Sequence, residues 1–136
     1  KWNGKSKMRW KDGSFFEGDW RNDMRVQGKL TLEDGGSYIG KFNNKDQYHG
    51  LGTIEYDKFR YTGIFSNHEP PKYGWLEVKD SGDIYYGELE SFKKNGLGKM
   101  EFENGDIYEG QWLDDKPHGL GRLISKENNE IYVGNF

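Results

Sequence analysis

The sequence predicts an all-β repeat chain, and three observations predict it. First, aromatic-x-Gly recurs at Phe16-Glu17-Gly18, Tyr38-Ile39-Gly40, Tyr61-Thr62-Gly63, Tyr85-Tyr86-Gly87, Tyr108-Glu109-Gly110 and Tyr132-Val133-Gly134, so the glycines step by 22, 23, 24, 23 and 24 residues. A period held this closely marks a repeat architecture. Second, two places beyond each glycine stands Trp20, Phe42, Phe65, Leu89, Trp112 or Phe136, and all but Leu89 are aromatic. Third, the segments that follow alternate apolar and polar residues with a period of two, and no segment sustains a helical period.

The clearest copy of the module is Asn104-Gly105-Asp106-Ile107-Tyr108-Glu109-Gly110-Gln111-Trp112, followed by His118-Gly119-Leu120-Gly121. A turn dipeptide leads into an aromatic-x-Gly-x-aromatic strand, then a polar loop, then a Gly-x-Gly strand. In order along the chain, Gly4 to Trp10 corresponds to the second half of a module, with Ser6 where a glycine is expected. Side chains alternate along a strand, so Ser6, Met8 and Trp10 face one way while Lys5, Lys7, Arg9 and Lys11 face the other. Asp12-Gly13 signals a turn, and a strand Phe16–Trp20 and a loop around Asn22-Asp23 follow.

The second-half strands repeat one pattern. One face carries Gly28, Leu30 and Leu32; Gly52, Ile54 and Tyr56; Gly74, Leu76 and Val78; Gly98, Met100 and Phe102; and Gly121, Leu123 and Ser125. The other carries Lys29, Thr31, Thr53, Glu55, Glu77, Lys99, Glu101 and Arg122. Asp34-Gly35, Ser81-Gly82 and Asn104-Gly105 supply turns between modules. A bare glycine within each first strand leaves a gap in which a large ring from an adjacent strand is expected to lie, an arrangement that pins register in sheets. The module at Asn67-His68-Glu69-Pro70-Pro71 departs from the plan, with Lys72 in place of a glycine; Val26, Leu89 and the segment Asp57–Arg60 depart as well.

Composition bounds the rest. Of 136 residues 32% are hydrophobic and 16% aromatic, and alanine is absent, so the core must be thin and made of rings rather than of aliphatic side chains. No cysteine is present, which excludes disulfides and Cys-based metal sites and fits an intracellular location. No apolar run approaches the ~20 residues of a membrane-spanning helix. Net charge is −3, divided unevenly: residues 1–30 hold eight Lys or Arg and four Asp or Glu (+4), residues 31–136 twelve and nineteen (−7). The chain as a whole is therefore no nucleic-acid binder.

Tyr-Glu-Gly-Gln-Trp at 108–112, Lys116-Pro117-His118-Gly119-Leu120-Gly121 and the period of about 23 residues together resemble MORN repeats (membrane occupation and recognition nexus). The resemblance covers residues 1–136 as a single array: five full modules and a partial repeat at each end, expected to be a fragment of a longer protein. It implies an elongated single-layer antiparallel meander of tandem β-hairpins. With about twelve strands at ~4.8 Å each the sheet would run roughly 55 Å, twisting by ~20–25° per strand. An aromatic concave face and a charged outer face are expected.

For function, no nucleophile–base pair, phosphate loop or metal spacing is present, so the chain is not read as an enzyme and no cofactor is expected. His49 and His118 precede glycine at one repeat position and read as capping or packing groups; His68 with Glu69 is too little for a site; Asp114 and Asp115 read as a solvated turn. The resemblance implies a scaffold or adaptor in a cytoskeletal or ciliary assembly of the cytoplasm, holding a peptide or helix of a partner protein, with self-association open. The expected contact rings are Trp20, Tyr38, Phe42, Tyr61, Phe65, Tyr85, Tyr108 and Trp112, because a single layer has no second sheet to cover them. Two alternatives stand: a phosphoinositide-binding membrane tether through Lys5, Lys7, Arg9 and Lys11, and an accessory region of a larger kinase or methyltransferase.

Overall fold

A row of glycines organises the sheet. In the computed structural model, which describes residues 3–136, the strands run β1 Gly4–Arg9, β2 Phe15–Arg21, β3 Met24–Thr31, β4 Ser37–Phe42, β5 Tyr48–Glu55, β6 Phe59–Phe65, β7 Tyr73–Val78, β8 Asp83–Glu90, β9 Lys93–Glu101, β10 Ile107–Leu113, β11 Lys116–Ser125 and β12 Glu130–Asn135. They form one antiparallel sheet in strict chain order, β1 to β12, with its two edges apart. The register puts Ser6, Gly18, Gly28, Gly40, Gly52, Gly63, Gly74, Gly87, Gly98, Gly110, Gly121 and Gly134 directly opposite one another from strand to strand. This is the expected single-layer meander.

Glycine is required in that row because a ring and a neighbouring backbone occupy the space where a Cβ would go; the ring over a first-strand glycine other than Gly63 comes from its own strand, two residues back, rather than from an adjacent strand, and reaches on to the second-strand glycine opposite. A Cβ on Gly52 would sit 2.7 Å from Tyr38 Cε1, and one on Gly110 2.5 Å from the Gly121 Cα. Each covering tyrosine is locked by its hydroxyl, which donates to the carbonyl three residues on: Tyr38 to Lys41 at 2.8 Å, Tyr85 to Glu88 at 2.6 Å, Tyr108 to Gln111 at 2.9 Å, Tyr132 to Asn135 at 3.1 Å. Just past the glycine the ladder shifts register where β2, β4, β8 and β10 meet β3, β5, β9 and β11, and the extra residues lie on the second strand of each pair.

Turns between modules use the expected glycines at left-handed φ, as at Gly35 and Gly105. Turns within modules do not. Asn22-Asp23, Asn67-His68, Ser91-Phe92 and Asp114-Asp115 are pairs of non-glycine residues at positive φ, the backbone of a two-residue type I′ hairpin. Asn and Asp tolerate it; Phe92 is the unusual member.

The core lies on one face, in two clusters. Phe16, Trp20, Leu30, Tyr38, Phe42, Ile54 and Phe65 form the first. Leu76, Tyr85, Leu89, Met100, Tyr108 and Trp112 form the second. The departing module explains the division. Pro71, fully buried, covers Gly63 in place of a tyrosine, and the Tyr61 ring turns instead to Phe92, 4.8 Å away, across the seam.

Candidate functional site

The rings expected to receive a partner stand mostly inside the core. Tyr38, Phe65, Tyr85 and Tyr108 are at most 1% exposed and Trp20, Phe42 and Trp112 at most 8%. Tyr61 alone of the eight is half-buried. The reason is mutual cover. Tyr38 meets Phe42 and Phe65 edge-on, each at 5.4 Å, and Trp112 meets Tyr85 at 5.3 Å and Tyr108 at 5.1 Å, the geometry aromatic quadrupoles favour. Rings from successive modules thus do for one another what a second sheet does in a sandwich. Burial pushes the Tyr38, Tyr85 and Tyr108 phenols up, which keeps them protonated as donors. What this face leaves accessible is the half-buried fringe of Met8, Trp10, Leu32, Tyr48 and Phe102, with the exposed rings of Tyr56, Phe59, Tyr132 and Phe136 at its margins and far end.

Arg25 belongs to that fringe and has no counterpart in the sequence reading. Its guanidinium lies 4.5 Å over Phe42 and 5.4 Å from both Trp10 and Phe16, while Nε and Nη2 donate to the two Asp46 carboxylate oxygens at 2.8 and 2.6 Å. Lys94 repeats the device, over Trp112 and 3.6 Å from Asp115. Asp115 also accepts the Lys94 N–H at 2.8 Å, so it staples two hairpins rather than merely solvating a turn. Two of the histidines act likewise. His68 Nδ1 accepts the Tyr48 N–H at 2.7 Å and His49 Nδ1 the Asn67 N–H at 3.4 Å.

The opposite face departs from the expected charged surface. Beside the glycine row Ile39 faces Thr53, Thr53 faces Thr62, Thr62 faces Trp75 and Trp75 faces Tyr86. On the other side of the glycines Leu51 faces Ile64, Tyr73 faces Glu88 and Leu97 faces Gln111. Ile39, Leu51, Ile64, Tyr73, Trp75 and Leu97 are between 47% and 68% exposed. The two side-chain rows flank a trough whose floor is glycine backbone. One stretch of about 780 Å³ runs over β1–β5, past Gly18, Gly28, Gly40 and Gly50; another of about 650 Å³ runs over β7–β10, past Gly87, Gly98 and Gly110. Strand-by-strand alternation hides this patch, because each strand contributes only one or two of its residues. The available signal was leucine at the centre of Gly50-Leu51-Gly52, Gly96-Leu97-Gly98 and Gly119-Leu120-Gly121.

Of the four basic residues near the chain start, Lys5, Lys7 and Arg9 share this opposite face, while Lys11 falls in the turn after β1. Carboxylates are interleaved with them. Lys5 lies across from Asp19 and Lys7 across from Glu17, with Lys7 Nζ 3.8 Å from the Glu17 carboxylate; Arg9 lies over the Phe15 ring at 5.5 Å.

Among the described residues no three His, Asp or Glu side chains stand together as a metal site, and no helix is long and apolar enough to cross a membrane. The sequence description of the MORN repeat matches residues 16–37, 38–58, 85–107 and 108–129. The interval 59–84 that it passes over holds the Pro71 module. No curated protein matches the chain significantly.

Proposed function

The chain belongs to the MORN repeat family, a non-catalytic scaffold architecture, and we propose that it holds a helical segment of a partner protein along the face opposite its rings. The observation that carries this reading is the exposed apolar patch of Ile39, Leu51, Ile64, Tyr73, Trp75 and Leu97 beside a trough floored by glycine. Exposed apolar surface of this kind marks an interaction site, and the aromatic members supply anchors.

The trough runs across the strands, and that selects the form of the occupant. Ladder hydrogen bonds already engage the strand backbones beneath it. A segment lying at right angles to them finds no free row of donors and acceptors, so its own backbone must be satisfied internally. A helix meets that condition; an added β-strand does not. A cytoskeletal or ciliary setting belongs to the same proposal and rests on the family's habits alone.

The test is a partner capture with three forms of the chain: wild type, Ile64→Asp with Leu97→Asp on the trough face, and Leu32→Ser with Phe102→Ser on the ring-face fringe. The trough variant is expected to lose the partners that the fringe variant keeps. The reverse pattern would transfer docking to the ring face and overturn the proposal.

A further inference from the structure

The trough is charged asymmetrically. At the β1–β4 end its flanking rows carry Lys5, Lys7, Lys29 and Lys41 against Glu17 and Asp19. Lys7 is 3.8 Å from Glu17, and Asp19 accepts the Gln27 amide at 2.9 Å. Lys29 and Lys41 make no ion pair among the described residues, and Lys41 lines the trough itself. Over β5–β7 the rows are Leu51, Thr53, Thr62, Ile64, Tyr73 and Trp75, without charge. Beyond them charges return in compensated form: Arg122 lies 3.4 Å from Glu109 and Lys99 3.3 Å from Glu101, and Glu88 accepts the Leu97 N–H.

We infer that the occupant is an amphipathic helix with an apolar stripe ending in a cluster of acidic residues, and that it lies in one direction only, its acidic end over Lys29 and Lys41. This rests on the proposed docking of a helix in the trough and adds the partner's chemistry and polarity. The dimensions follow from the sheet. From Ile39 on β4 to Leu97 on β9 there are five strand steps, about 24 Å at ~4.8 Å each, which a helix covers in roughly 16 residues. From β4 back to β1 is about 14 Å, or some ten residues, and the carboxylates belong in that stretch. Apolar contact holds the helix; the excess of lysine over carboxylate at this end, with Lys29 across from Glu17 and Lys41 across from no carboxylate, sets its direction and disfavours the reversed pose.

The test uses the whole chain and two synthetic peptides, each labelled for fluorescence anisotropy. Both carry leucines at i, i+3, i+4 and i+7 over sixteen residues; one ends in four glutamates, the other in four lysines. The Glu-ended peptide is expected to bind about fivefold more tightly at low salt, with the difference shrinking as ionic strength rises. Lys29→Glu with Lys41→Glu is expected to invert the order, while Ile64→Asp weakens both peptides equally and leaves the far-ultraviolet spectrum unchanged. Equal binding of the two peptides would overturn the polarity and leave the helix-docking reading standing. Binding of neither would overturn docking itself. Sedimentation of the chain with phosphoinositide vesicles, with neither peptide bound, would assign the lysines to a membrane and sink the inference.

Discussion

The Tyr108 ring, on β10, lies over Gly121 on β11, in the space where a β-carbon of residue 121 would be. Its hydroxyl is fixed by the Gln111 carbonyl at 2.9 Å, so the ring cannot swing aside without losing that bond. Gly121→Ala is therefore expected to destabilise the sheet by about 1–3 kcal/mol through overpacking. Tyr108→Phe keeps the ring and loses the hydrogen bond, for about 1 kcal/mol. Urea denaturation of the two variants checks the ranking, and equal midpoints for Gly121→Ala and wild type would refute the ring-over-glycine account.

Arg25 is held by geometry that lysine cannot reproduce. A planar fork spans both oxygens of Asp46 while its face lies on Phe42. Arg25→Lys is expected to cost about 1–2 kcal/mol despite keeping the charge. A double-mutant cycle with Asp46→Asn separates the ion pair from the stacking; a Lys variant as stable as wild type would show that charge alone suffices.

Glu55 sits between two cations, hydrogen-bonded first by Lys79 and then by Arg60, and both hold its carboxyl below the usual range. A depressed folded-state pKa stabilises above the unfolded value, and that contribution is lost as pH falls through the folded one. The loss is thus expected below about pH 4.3, the ordinary glutamate value. Glu55→Gln should lower the melting temperature at pH 7 and lose less of it between pH 5 and 3 than wild type does. Parallel curves across that range would remove Glu55 from the acid transition.

Ile64 and Trp75 touch solvent rather than core, at 61% and 48% exposure. Substitution by Asp at either position is expected to change stability within about 0.5 kcal/mol while abolishing capture of a helical partner. A large fall in melting temperature would instead give these side chains a folding role.

The repeat, its strands and the positions of its glycines were legible in residue order; edge-to-edge pairing followed from the family resemblance, and the alignment of the glycines into one row from the structure. The Tyr108–Gly110–Trp112 face and the Leu123 face each follow from alternation within one strand, and the turn glycines from their dipeptides. The type I′ turns at Ser91-Phe92 and Asp114-Asp115 were not, since only some of those residues advertise positive φ. Nor was the accessibility of the rings. Phe42 touches Tyr38 of its own strand, and its burial is completed when the preceding module supplies Phe16 and Arg25.

Residue order therefore dictates the hairpin and its repetition, because a period-two pattern, a turn signal and a missing side chain act over a few neighbouring positions. Which face stays open depends on contacts between residues some twenty positions apart, and those exist only once the strands are laid side by side. Stacking buried the middle of the aromatic face; Leu51 with Ile64 and Trp75 with Tyr86, distant in the chain, met across strands on the other face and left apolar surface exposed there.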